Sequence, residues 1–143
     1  MIQPIILDAS VAAKWFVLPG EPYEAQAIDL LQRQLRGDIQ FFVPDLFWAE
    51  IGNVLLKATR RNRCTPDQAE QSIRLVRKQD LTTFPCVEYL EQSFSIARQF
   101  GCSFYDSIYV ALAVESNATL ITADEKLANA TAAYLPVKWL GTI

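Results

Sequence analysis

The sequence predicts an α/β protein built as a three-layer α/β/α sandwich around a central parallel sheet. Short β-prone runs alternate with helical patterns along the whole chain, the signature of strand–helix–strand units. The stretch from Phe104 is apolar on nearly every side through Ala111, Leu112, Ala113 and Val114, as in a helix buried between layers. Carboxylates follow two of the strands, where open α/β sheets place their ligands.

Pro4 to Leu7 reads as the first strand, ending at Asp8, and Ser10 is expected to cap a helix reaching about Val17. Pro19 and Gly20 break it. A second helix covers Tyr23 to Leu35, with Ala27, Leu30, Leu31 and Leu35 at helical spacing and Gly37 after its end. Phe41 to Val43 is a second strand, stopped by Pro44. From Asp45 the pattern is helical again: Leu46, Phe47, Ile51, Val54, Leu55 and Ala58 form an apolar face with Glu50 among them. Thr65-Pro66-Asp67-Gln68 starts the next helix, with a Thr cap, Pro in the first helical position and Gln three residues after the cap. It runs to about Lys78.

Thr82 to Phe84 is a third strand. Val87 to Phe100 is an amphipathic helix with Leu90, Phe94 and Ala97 inward and Gly101 at its end. After the buried helix Asn117 suits a left-handed turn, Thr119 to Ile121 forms a strand, and Asp124 follows. Glu125 to Ala130 makes one or two helical turns before a last strand, Val137 to Leu140. Residues 1–143 show no repeat, low-complexity tract or linker, so one domain is expected.

Composition narrows the chemistry. The chain has no histidine, which removes Ser-His-Asp and Cys-His catalysis and histidine-bearing zinc sites. Catalysis would fall to carboxylates or a metal. No apolar run approaches the roughly 20 residues of a membrane span, and the first residues lack the basic region of a signal peptide. Cys64, Cys86 and Cys102 are odd in number and widely spaced, which suits a reducing cytoplasm. A net charge of −3 argues against broad nucleic-acid binding, but offsetting four carboxylates with metal turns −3 into +1.

Four carboxylates stand out: Asp8, Glu50, Asp106 and Asp124. Singly, Asp8 and Asp124 read as helix caps, Asp106 as the partner of a Ser103 cap, and Glu50 as a helical glutamate. Together they are candidate metal ligands, with the hydroxyls of Ser10 and Thr122 placed to orient a carboxylate or bound water. Oxygen donors without imidazole or thiolate suit Mg²⁺ or Mn²⁺. Lys57, Arg60, Arg61 and Arg63 are candidate RNA-phosphate contacts; the plainer reading, cations complementing a helix C-terminus, is favoured. Trp15, Trp48 and Tyr109 could stack on bases, core packing being the plainer role, while Phe47 and Trp48 could line a subunit interface.

In Ile6-Leu7-Asp8-Ala9-Ser10, Ala49-Glu50, Tyr105-Asp106-Ser107-Ile108-Tyr109-Val110-Ala111-Leu112-Ala113 and Leu120-Ile121-Thr122-Ala123-Asp124, the chain resembles the PIN-domain family, and most closely its VapC-type toxin ribonucleases. The ordered set spans nearly the whole chain; where the family often has an aromatic residue past the last motif, this chain has Leu127. The resemblance implies a PIN-like fold and a metal-dependent endoribonuclease leaving 5′-phosphate ends. It implies Asp8 and Asp106 as direct ligands, Asp124 direct or through water, and Glu50 through water. It also implies a cognate antitoxin protein that obstructs the acidic cleft, and a homodimer. The competing reading is an inactive PIN-like module that binds RNA or protein. Receiver and dehalogenase types fit less well, because Ser10 stands where a second aspartate is needed, and there is no P-loop.

Overall fold

The computed structural model describes residues 2–16 and 20–143. Five parallel strands form one sheet: β1 (Gln3–Leu7), β2 (Ile39–Pro44), β3 (Thr82–Phe84), β4 (Thr119–Thr122) and β5 (Val137–Trp139). Their order is β3-β2-β1-β4-β5. The chain builds outward from β1 to one edge, crosses back to β4, and finishes at the other edge. The winding therefore reverses between β1 and β4, leaving a crevice outside their C-terminal ends. Register is set by apolar residues facing both ways: Ile5, Ile6 and Leu7 are all buried, and Ile6 pairs with Phe42 on one side and Leu120 on the other.

Among the described residues the helices are α1 (Ala9–Ala12), α2 (Glu24–Leu35), α3 (Leu46–Arg60), α4 (Pro66–Arg77), α5 (Leu90–Phe100), α6 (Phe104–Glu115) and α7 (Glu125–Thr131). The sandwich expected from the sequence is therefore present. The α6 helix is the buried element: every residue from Ser107 to Ala113 is enclosed, with Tyr109 and Leu112 among the largest fully buried side chains. Asn117 ends it with φ 49°, as expected. At the start of α4 the reciprocal Thr65–Gln68 cap forms, at 3.1 and 2.9 Å.

Several boundaries differ from expectation. Asp8, not Ser10, caps α1, which tightens into a 3₁₀ turn at Ala13–Trp15; the predicted end at Val17 and the break at Pro19 lie outside the described residues. Tyr23 precedes α2 in a left-handed conformation, φ 61°, instead of opening the helix. Leu140 leaves β5 for a closing 3₁₀ turn, Leu140–Thr142.

The α5 face is the clearest correction. Leu90 and Phe94, expected inward, are 44% and 59% exposed, while Ser93 and Ile96 are buried. Residues Cys86–Tyr89 form a 3₁₀ turn, so a 3.6-residue period counted from Val87 arrives out of phase. The stripe that packs is Ser93, Ile96, Ala97 and Phe100, headed by a serine whose Oγ is buried without a partner among the described residues. Phe47 is likewise fully buried and lines no subunit interface. Trp15 and Trp48 are tied into the framework, Nε1 donating to the Ala27 carbonyl at 2.8 Å and to Thr83 Oγ1 at 3.1 Å.

Candidate active site

The four acids come from elements around the crevice between β1 and β4. Asp8 is the first residue past β1, and its carboxylate receives the Ser10 N–H at 3.3 Å and the Thr122 hydroxyl at 2.7 Å. Thr122 ends β4, one strand over, and its Oγ1 also accepts the Asp124 N–H at 3.0 Å. Ser10 returns the connection, its Oγ accepting the Ala123 N–H at 3.1 Å. The two strand ends are thus laced by hydroxyls, with Asp8 buried beneath and Asp124 exposed at the rim. The Thr122 hydroxyl reaches a carboxylate as expected, whereas Ser10 meets Asp8 through its backbone N–H and turns its hydroxyl to Ala123.

Asp106 enters from the first turn of α6. The Ser103 hydroxyl caps that turn by accepting the Asp106 N–H at 3.0 Å. Asp106 and Asp124 border a single cavity of about 230 Å³, closed by Cys102, Ser103, Lys126 and Leu127. Glu50 arrives from α3, its Oε1 accepting the buried Tyr109 hydroxyl at 2.6 Å. Asp8 and Asp124 also cap α1 and α7, as the plainer readings had it. Capping and convergence are the same geometry here, because each cap engages a carboxylate oxygen that keeps a second lone pair.

The acids feel one another. Burial is the largest effect on Asp8, raising its pKa from 3.8 to about 6 against the hydrogen bonds from Thr122 and Ser10, with a further push from the charge of Asp106. Glu50 is raised by burial and then by Asp8 and Asp106, while the Tyr109 hydroxyl opposes the shift. Asp106 is raised by burial and by Asp124, with Ser103 opposing. Burial pushes the Tyr109 phenol strongly up, aided by Asp8 and Glu50, so it stays a donor to Glu50.

Buried, mutually repelling carboxyls with only oxygen donors are the chemistry a hard divalent cation relieves. Among the described residues no three acidic or thiol side chains are drawn together as a closed metal cage. Like charges repel when nothing neutralises them, and the carboxylates of Asp8 and Glu50 are each held by a hydroxyl, of Thr122 and Tyr109, instead of by a neighbouring acid. The donor set, oxygen only, fits the chemistry of Mg²⁺ or Mn²⁺. Larger hollows of about 480 and 470 Å³ line α4 near Arg63 and Gln68 but contain no carboxylate, so they contribute nothing to this chemistry.

Thr122 is the joint between two acids, which makes Thr122→Val informative. The isosteric valine leaves Asp8 without its shortest hydrogen bond and the Asp124 N–H without an acceptor. Stability should fall by about 1–3 kcal/mol and metal affinity by about 10–100-fold, read by thermal melts across a Mn²⁺ titration. Unchanged affinity would mean the hydroxyl does not orient the ligands. Sequence reasoning missed Tyr109 as the residue that holds Glu50, since the two lie 59 positions apart. It also missed Lys126 and Cys102 as walls of the acidic cavity; proximity to Asp124 and Asp106 was the only signal available.

Residues 5–133 match the family described as PIN domain. The ribonuclease VapC3 of Pyrobaculum aerophilum is 30% identical over 126 residues, covering 87% of this chain and 92% of that one. The crystal structure of PAE2754 from the same organism superposes with a TM-score of 0.71 at 23% identity, covering 99% of this chain and 93% of that one. VapBC2 from Rickettsia felis, solved bound to a DNA fragment from their promoter, gives a TM-score of 0.66 at 15% identity over 96% and 98%. At these identities the two structures speak for the fold. With the family match spanning most of its length, this chain belongs to the PIN-domain family.

Proposed function

We propose that the protein is a divalent-metal-dependent endoribonuclease and the toxin of a toxin–antitoxin pair. The observation that carries this reading is the linkage of Asp8 to the β4 end through Thr122, with Asp106 and Asp124 bordering one cavity and the charges of Asp8 and Asp106 acting on Glu50, in a chain 30% identical to a ribonuclease. Asp8 and Asp106 would hold Mg²⁺ or Mn²⁺ directly, Asp124 directly or through water, and Glu50 through water. The bound cation supplies a polarised phosphoryl oxygen and a water of lowered pKa.

The chain's own residues do the positioning. Thr122 and Ser10 fix the Asp8 carboxylate, and Ser103 fixes the turn that presents Asp106. Tyr109 occupies Glu50 Oε1, which leaves Oε2 to take the proton of the attacking water. Water oxygen joins phosphorus in line as the 3′-oxygen leaves, giving a 5′-phosphate and a 3′-hydroxyl. The ribose 2′-oxygen forms no bond in this route.

An antitoxin that obstructs the acidic cleft would silence the enzyme, and the neighbour VapBC2 supports such a partner. Self-association has a surface available in Val87, Leu90 and Phe94 along the outer face of α5 and the turn before it. Among the described residues no helix is long and apolar enough to cross a membrane, and the free thiols suit a cytoplasmic protein.

The test is cleavage of a defined RNA with Mg²⁺ or Mn²⁺, followed by sequencing of the 5′ ends. Wild type should cut and leave 5′-phosphates; Asp8→Ala and Asp124→Ala should not cut. Binding without cleavage under both metals would favour the inactive module, and 2′,3′-cyclic phosphate ends would contradict attack by water.

A further inference from the structure

Two cation-lined clefts lie on elements that also carry the acids. Along α3, residues Glu50, Val54, Lys57 and Arg61 fall within an arc of roughly 60° at 100° per residue, so one helix face carries an acid and then two cations. Val54, Lys57 and Arg61 line a cavity of about 220 Å³ with Ala13, Glu21, Ala58 and Arg63. Ala13 follows α1, whose cap is Asp8, so this cleft is built on the same two helices, α1 and α3, that carry Asp8 and Glu50. At 1.5 Å per residue, Lys57 and Arg61 stand about 10 and 16 Å along the axis from Glu50.

The cations in this cleft are not equivalent. Arg63 and Lys14 already face Glu21, at 3.8 and 3.6 Å. Among the described residues no carboxylate lies within ion-pair distance of Lys57 or Arg61. Arg60 sits about 80° around the helix from Glu50 and lines none of this cleft. Val54, Ala13 and Ala58 supply an apolar floor on which a ribose or base can rest. The other cleft, bordered by Asp106 and Asp124, holds Lys126, which is also outside ion-pair distance of any described carboxylate. An acidic chain that keeps three such cations beside its acids has a binding surface for something anionic and elongated.

We infer that single-stranded RNA lies across the acidic centre, its phosphates held by Lys57 and Arg61 in the α1–α3 cleft and by Lys126 in the cleft between α6 and α7. The inference rests on the ribonuclease reading for its substrate and adds the path. It overturns the plainer sequence reading of the basic helix end for two of its four cations and keeps it for Arg60. Contacts on both flanks hold the strand in register, so the phosphate between them is presented to the acids. An acidic protein segment in the same clefts is the competing occupant. A strand is favoured because the α1–α3 cleft sets the apolar surface of Val54, Ala13 and Ala58 beside its cations, which suits a ribose or base next to each phosphate.

The experiment measures binding of a fluorescent single-stranded RNA oligonucleotide to Asp8→Asn protein, so that the strand is not cut, as a function of salt. Each phosphate contact contributes about 0.7 to the slope of log K against log salt for a single strand. Adding Lys57→Ala and Arg61→Ala should reduce the slope by about 1.4, and Lys126→Ala by about 0.7, while Arg60→Ala leaves it unchanged. On the otherwise unaltered protein the same substitutions should raise KM and leave kcat and the Mn²⁺-induced rise in Tm intact.

A slope unaffected by Lys57 and Arg61, or equally sensitive to Arg60, overturns the α3 path. Sensitivity on one flank alone overturns the crossing. Loss of polyglutamate binding with RNA binding retained assigns the clefts to a protein partner instead. Should the wild type bind RNA through these residues and never cut it, the ribonuclease reading fails and the path stands.

Discussion

Asp8→Asn is expected to abolish RNA cleavage and, in the same protein, to raise the stability of the metal-free state at pH 7. The two effects share one cause. Burial holds the Asp8 carboxyl near 6 against 3.8 in the unfolded chain. Below about pH 4 the group is protonated in both states and costs nothing. As pH rises from 4 to 6 the unfolded chain releases its proton first, so stability falls, and above 6 the loss is complete. A shift of this size corresponds to about 3 kcal/mol. Asparagine removes the titration and still accepts the Thr122 hydroxyl, so a Tm gain on the order of 3–10 °C at pH 7 is expected, vanishing near pH 4. Cleavage should fall on the order of a thousandfold, because the deepest ligand has lost its charge. A variant that is both dead and destabilised at pH 7 would show that Asp8 serves the fold as an ionised cap and not the site as a strained ligand.

How much of this was legible depended on distance along the chain. Asp8 and Asp124 could be placed because each follows a β-prone run, and strand ends are where a parallel sheet exposes its backbone. Ser10 and Thr122 were legible as hydroxyls two residues from an acid; that Thr122 reaches Asp8 across 114 positions requires β1 and β4 to be neighbours, and pairing order is not written in periodicity. Glu50 was identified without its partner, since nothing local to α3 announces Tyr109. The α5 phase was misjudged for a different reason. Two stripes on that helix are apolar enough to bury, and the one led by Leu90 and Phe94 is the more hydrophobic, so local pattern pointed away from the face that α6 accepts. Packing against α6 selected Ser93 and Ile96 instead and left an apolar row facing solvent. Lys126 shows the same limit from the other side: its charge is visible in sequence, but that it borders one cavity with Asp106 and Asp124 depends on how α6 and α7 are placed.

Mn²⁺ or Mg²⁺ at 100 times its dissociation constant should stabilise the wild-type protein at pH 7 by about 2.7 kcal/mol, a Tm rise of several degrees. The rise should be nearly absent in Asp106→Asn. Asp106 is the acid that joins the others: its charge adds to the upward shifts of Asp8 and Glu50, and it borders the same cavity as Asp124. Without its charge the remaining acids repel less, so there is less strain for a cation to relieve and one fewer ligand to hold it. Burial raises the folded-state pKa values of Asp8, Glu50 and Asp106, so bound metal competes with protons for these groups. The metal-induced rise should therefore shrink as pH falls from 7 toward 5, where Asp8 is mostly protonated, while the metal-free protein grows more stable over the same interval. Differential scanning calorimetry across that range, with and without Mn²⁺, reads both trends. Screening by simple salt could also ease repulsion among these carboxylates, and NaCl at matched ionic strength separates the two effects. If NaCl reproduces the whole shift, or if Asp106→Asn retains it, the acids are neighbours that merely tolerate one another and the metal-dependent chemistry loses its foundation.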